Sequence, residues 1–246
     1  MVEEELQLRT SDGTTDAVLY HEEDGRPRLG VIHLTDIGGI RPSHREMARR
    51  LASLGYTVLM PNVFYRTGRP PVFQLPPGAG EEQRAKRMAE LRAPLTPDAM
   101  SRDLSAYLDF LAAHPAVARG PIGAVGYCFT GGMAVRAAAV RPDRVAAAAS
   151  FHGGGLYTED PASPHLVLPN VRARLYFGHA VQDRSMPQEA IDKLDRALAA
   201  WGGKYESEVY AGAYHGWTVP DSPVYNRPQA ERAFQKLTEL FATALQ

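Results

Sequence analysis

The one cysteine of this 246-residue sequence, Cys128, stands in Val125-Gly126-Tyr127-Cys128-Phe129-Thr130-Gly131-Gly132, between a short apolar run and an alanine-rich stretch. A sharp strand-to-helix turn with small neighbours pushes one side chain out above a sheet, where it can meet a substrate. A thiol so placed faces the first turn of the next helix, whose free N–H groups and positive dipole end favour the thiolate. A cysteine without such a setting reads as a small buried hydrophobe. Here the setting points to a nucleophile.

A nucleophilic thiol needs a base, and the base needs a third group to orient it. Two downstream segments offer them. Asp183 lies in Gly178-His179-Ala180-Val181-Gln182-Asp183-Arg184-Ser185-Met186-Pro187, and His215 in Gly212-Ala213-Tyr214-His215-Gly216-Trp217. Each follows a run that reads as a strand, the first ending at Phe177-Gly178 and the second at Tyr210. His152 and His179 follow such runs too and are rival bases, and Asp183 is also placed to act near a helix N-cap. An acyl-transfer oxyanion needs two backbone donors. Phe129 N–H, next after the cysteine, is one. The other is expected from Thr35-Asp36-Ile37-Gly38-Gly39, with Ile37 preferred and Asp36 the alternative.

The elements that must hold these groups are legible as alternation. Residues 4–10 and 16–21 read as alternating strands around Ser11-Asp12-Gly13. Residues 30–34 and 56–60 are apolar runs flanking a helix whose inner face carries Met47, Ala48, Leu51 and Leu54, ended by Gly55. Strand, helix, strand at these lengths is a βαβ unit. The segment 61–80, with Pro61, Pro70, Pro71, Pro76 and Pro77, reads as an irregular excursion. An arginine-bearing helix over 81–91 follows, then one with Leu104, Tyr107, Leu108 and Leu111 at helical spacing. Beyond these the expected order is strand 121–126, helix 129–140, strand 145–151, strand 171–177, helix 187–201, strand 205–210 and a last helix with Phe234, Leu237 and Phe241. The sum is a single α/β domain over 1–246, with a mostly parallel central sheet and helices on both faces.

Composition agrees with this reading and narrows the partners. With 27 basic and 28 acidic residues the net charge is −1, which gives no electrostatic case for nucleic acid or an anionic membrane. One cysteine allows no intrachain disulfide, and no stretch approaches the ~18 apolar residues of a membrane span. The expected setting is cytoplasmic, as a monomer or weak dimer acting on a small molecule.

Taken together, these segments resemble the dienelactone hydrolase family of α/β-hydrolases. The resemblance covers nearly the whole chain through Thr35-Asp36-Ile37-Gly38-Gly39, Pro61-Asn62-Val63-Phe64, Gly126-Tyr127-Cys128-Phe129-Thr130-Gly131, the Asp183 loop and His215-Gly216-Trp217. It implies an ester or lactone hydrolase with an α/β-hydrolase fold, a Cys128–His215–Asp183 triad and a thioester acyl-enzyme, with no metal or other cofactor. The alternatives are a non-catalytic ligand-binding member of the fold or a redox-responsive thiol protein.

Three positions depart from the family pattern. Asp36 falls where the family carries a glutamate near the resting cysteine. Thr130 replaces a glycine, which either crowds the elbow or adds a hydroxyl near the site. The family's founding enzymes hold a substrate carboxylate with two arginines. Arg84 aligns with the first, but Val219 stands at the second. With Trp217 these form the expected substrate-contacting set, and the lost arginine implies neutral, fairly apolar substrates.

Overall fold

Two hairpin strands begin the chain, β1 (Val2–Thr10) and β2 (Gly13–His21), paired antiparallel in full register around the turn at Asp12. From there the chain alternates: β3 (Leu29–Leu34), α1 (Pro42–Ala52), β4 (Tyr56–Pro61), α2 (Glu81–Arg92), α3 (Pro97–Ala113), β5 (Ile122–Tyr127), α4 (Gly131–Val140), β6 (Val145–Phe151), β7 (Arg174–Ala180), α5 (Gln188–Trp201), β8 (Tyr205–Tyr210) and α6 (Arg227–Ala244). The computed structural model describes all residues 1–246. The eight strands form one sheet in the order β1-β2-β4-β3-β5-β6-β7-β8. The β1–β2 and β2–β4 pairs are antiparallel, and every pair from β4 through β8 is parallel.

A parallel sheet is covered on both faces, so its inner strands read as unbroken apolar runs. All six residues of β5 are buried, and so are nearly all of β3, β6 and β7. On one face α3, α4 and α5 contribute Leu104, Met133 and Leu194 to a core that includes Ile32 and Phe177. On the other, α1 and α6 place Leu51, Leu237 and Phe241 against Val125 and Tyr176. The irregular segment after β4 is tied down by α3, where the buried Asp103 accepts from Arg66 at 2.6 and 2.9 Å and from the Tyr65 hydroxyl at 2.9 Å. No helix is long and apolar enough to cross a membrane.

Three sequence expectations shift. Leu54 is half exposed instead of lying on the inner face of α1, because the helix stops at Ala52 and tightens into a turn. Leu54 N–H then reaches Leu51 O and Gly55 enters the left-handed region, which swings the side chain outward. The strand expected over 171–177 begins at Arg174, since Val171 closes a 3₁₀ segment (Pro164–Asn170) that apolar periodicity does not reveal. The helix expected from Phe129 starts at Gly131, and residues Cys128–Thr130 form a 3₁₀ turn.

Candidate active site

Cys128 sits at the carboxyl end of β5, near the middle of the sheet, with a φ of +58°. That conformation is strained for a residue with a side chain, by about 1–3 kcal/mol, and needs surroundings that enforce it. Gly126 permits the turn to close: a Cβ there would meet the Thr130 carbonyl oxygen at 2.1 Å. Thr130 is fully buried, and its hydroxyl accepts from Tyr127 N–H and reaches the carbonyls of Leu34 and Tyr127, all at 3.0 Å. The hydroxyl therefore ties the elbow to the end of β3 from beneath, and it neither crowds the sulfur nor enters the site.

A second tie comes from His152, which follows β6 with its own φ of +40°. The Cys128 N–H donates to His152 Nδ1 at 3.1 Å, and Nε2 lies 2.8 Å from Thr218 Oγ1. Because Nδ1 accepts, the ring proton resides on Nε2. Burial pushes this imidazole down to about 3, helped by the neighbouring His215, so it is neutral. Of the two rival bases, His152 thus faces the backbone of Cys128. His179 lies beside Ser207, at 3.3 Å, away from the sulfur.

His215 lies on the loop after β8 and Asp183 on the loop after β7. His215 Nε2 is 3.1 Å from Cys128 Sγ, and its Nδ1 is 2.6 Å from Asp183 Oδ2. Cys128 is half-buried, and His215 is open to the cleft. Burial pulls the His215 imidazole down, but its bonds to Asp183 and Cys128 outweigh that and raise it to about 10. Burial pushes the Asp183 carboxyl up, yet the bonds from His215 and Ser185 hold it below its ordinary range. Ser185 donates both its N–H (2.8 Å) and its hydroxyl (2.7 Å) to Asp183 Oδ1, and the hydroxyl also lies 3.2 Å from His215 Nδ1. Sequence reasoning gave Ser185 no role. The Asp-x-Ser spacing, which suits a local side-chain bond to the backbone, was the available signal.

The loop after β3 separates the two oxyanion candidates. Asp36 N–H is occupied by His44 Nε2 at 3.2 Å, while Ile37 N–H and Phe129 N–H have no protein acceptor. The Asp36 carboxylate is taken up by Arg41 (2.5 and 2.8 Å) and by Gly38 N–H (2.8 Å), and it makes no hydrogen bond to Cys128. The resemblance placed a carboxylate there beside the resting sulfur; in this chain it belongs to an ion pair. Arg41 continues to Asp221, on the loop after His215, at 2.8 and 3.0 Å, and Ser43 Oγ joins at 2.9 Å.

Cys128, Phe129, Ser185 and His215 open into a cleft of about 770 Å³. None of the three expected substrate contacts lines it. Arg84 is exposed on the outer side of α2, whereas Met88 and Arg92 of the same helix reach the cleft. Val219 is fully buried, and so is Trp217, whose ring packs 5.2 Å from His152 and 4.9 Å from Tyr210. The chain coils back after His215, with Trp217 N–H on Tyr214 O and Val219 N–H on Gly216 O, which turns both side chains inward. Counting positions from the histidine could not reveal that, so the inference of neutral substrates from Val219 loses its footing. Arg136 of α4 does line the cleft. In sequence it is one residue of an alanine-rich helix, with nothing to mark the face it presents.

A sequence model of the dienelactone hydrolase family matches residues 15–245. The carboxymethylenebutenolidase of Rhodococcus opacus is 28% identical over 243 residues, covering 96% of this chain and 90% of that protein. Among solved structures, a dienelactone hydrolase-like promiscuous phosphotriesterase from metagenomic libraries superposes with a TM-score of 0.82 at 20% identity, covering 100% of this chain and 99% of the other. The dienelactone hydrolase from Anabaena variabilis gives 0.71 at 19% identity, with 100% and 99% covered. At such identities the structural likeness speaks for the fold alone.

Proposed function

The chain belongs to the dienelactone hydrolase family, and on that premise we propose that it hydrolyses a carboxylic ester or lactone with Cys128 as nucleophile. The observation that carries the reading is the unbroken line of contacts Sγ–Nε2, 3.1 Å, and Nδ1–Oδ2, 2.6 Å, opening on a cleft. The name of the Rhodococcus opacus relative points the same way.

In this mechanism the Cys128 proton passes to His215 Nε2, and the sulfur attacks the carbonyl carbon. The carbonyl π pair moves onto oxygen, which Phe129 N–H and Ile37 N–H receive. A raised His215 and an ionised Asp183 make the imidazolium easy to form. Collapse of the tetrahedral species breaks the carbon–oxygen bond, and His215 gives its proton to the leaving alkoxide. The acyl group now sits on sulfur as a thioester. Water attacks the thioester as His215 takes its proton; the carbon–sulfur bond breaks, the acid departs, and His215 returns the proton to the Cys128 sulfur. The Thr130 hydroxyl is engaged by Tyr127 N–H and the Leu34 carbonyl beneath the elbow, which favours the catalytic reading over a ligand-binding one.

The test is direct. Brief exposure to an activated ester is expected to add one acyl mass to the Cys128 peptide, and iodoacetamide should abolish hydrolysis in step with alkylation of that residue. Full activity in Cys128→Ala would overturn the assignment.

A further inference from the structure

Arg136 is the only lysine or arginine that is buried, at 6% exposed. It lies on α4, five residues past the start of the helix that Cys128 leads into, and its side chain lines the same cleft as Cys128 and His215. Its one protein partner is a backbone carbonyl, that of Ala162. No carboxylate offsets its charge, and burial is the only influence on its proton affinity, pushing it down. The single acid on the cleft wall, Asp160, is turned to its own loop, its Oδ1 accepting from Ala162 N–H at 2.7 Å.

Elsewhere the chain treats its half-buried guanidiniums differently. Arg41 holds Asp36 and Asp221, and Arg66 holds Asp103 and Asp12. A buried charge without a counter-ion is unfavourable, and Arg136 keeps most of its five N–H donors in a fixed fork suited to a carboxylate or phosphate. Arg92 reaches the same cleft from α2. It bonds only Met88 O of its own helix, at 3.3 Å, and makes no ion pair. Two cations without acid partners thus meet across a cavity that already contains the nucleophile.

Building on the hydrolase reading, we propose that Arg136, assisted by Arg92 at the rim, is the recognition subsite for an anionic group carried by the substrate, a carboxylate or a phosphate. Five residues of helix are about 7.5 Å of rise, and helical side chains lean back toward the N-terminus, here toward Cys128. The anion therefore sits several atoms from the scissile carbonyl, at the far end of an extended acyl or alcohol group. Neither Arg84 nor Val219 takes part.

The experiment compares three activated aryl esters: a hemiester of glutaric acid with a free carboxylate, its methyl-capped diester, and an analogue ending in phosphonate. The wild type is expected to favour a charged ester over the capped one at least tenfold in kcat/KM, mostly through KM, and more weakly at high salt. Whichever charged ester is preferred identifies the anion. Arg136→Met should bring the ratio near unity, Arg136→Lys should keep part of it, and the exposed Arg92→Gln should lower it several-fold. Ratios within one preparation cancel any loss of folded protein, and Arg92→Gln serves if Arg136→Met does not fold. Equal turnover of charged and capped esters by the wild type overturns the subsite, as does a preference that Arg136→Met retains. The capped ester reports the chemistry at sulfur separately: if Cys128→Ala still cleaves it, the nucleophile assignment has failed and the subsite has not.

Discussion

His152 Nδ1 accepts the backbone N–H of Cys128, so this histidine grips the strained residue by its main chain and leaves the sulfur to His215. Asparagine at 152 can present an oxygen near the Nδ1 position, whereas phenylalanine cannot. His152→Asn is expected to keep most activity, and His152→Phe to lose stability by ~1–3 kcal/mol because a buried N–H goes unpaired. Calorimetry beside steady-state kinetics separates the two effects. Activity in His152→Asn as low as in a His215 variant would make His152 the base.

His215→Ala should cost ~10²–10⁴-fold in kcat, the usual weight of a general base. Asp183→Asn should cost less, and the double variant little more than His215→Ala alone, because the three groups act as one unit. Ser185→Ala removes the hydroxyl from both Asp183 and His215 and is expected to shift the pH–rate profile more than kcat itself. Additive losses in the double variant would contradict the shared role.

Stability should peak near neutral pH. His152 at about 3 and His179 at about 4 are buried neutral, and His33 lies well below its ordinary range for the same reason. Between those values and ~6.5 the unfolded chain binds more protons than the folded one, so stability falls as pH drops through that window. Asp183, Asp36 and Asp221, all held low, add further loss below ~4. His215, raised to about 10, works the other way: its contribution is complete below ~6.5 and is lost as pH climbs through about 10. Melting temperatures from pH 4 to 10 test this, and His152→Asn should flatten the acid limb. A constant Tm between pH 7 and 5 would refute it.

Val219→Arg would place a charge at a fully buried position. The expected result is a destabilised protein, by ~3 kcal/mol or more, with no gain toward carboxylated substrates. A stable variant with improved turnover of free acids would show that the loop opens in solution.

The line between what the sequence disclosed and what it hid is drawn by side-chain direction. The meeting of Cys128, Asp183 and His215 was legible because each lies just past a strand, and parallel strands deliver their ends to one edge of the sheet. The same logic pointed to Phe129 and Ile37 as oxyanion donors, and both N–H groups are without a protein acceptor. Trp217 and Val219 follow the histidine closely in sequence, yet a tight coil points them into the core. Arg136 was hidden for the opposite reason: helix composition described its surroundings and said nothing of which face met the cleft. His152 was read as a rival base because its position after β6 says nothing of which atom it would face.

Arg41 binds Asp36 on the loop after β3 and Asp221 on the loop after β8, so one guanidinium joins the loop that carries Ile37 to the loop that carries His215. Local openings of the native state release contiguous cooperative units. With this brace in place, residues 36–39 and 215–222 are expected to open as one such unit despite lying far apart in sequence. Their amides should exchange with deuterium at a common rate, and Arg41→Gln should separate that rate into two. The cleft would then fail on heating as a single event, ahead of the sheet beneath it.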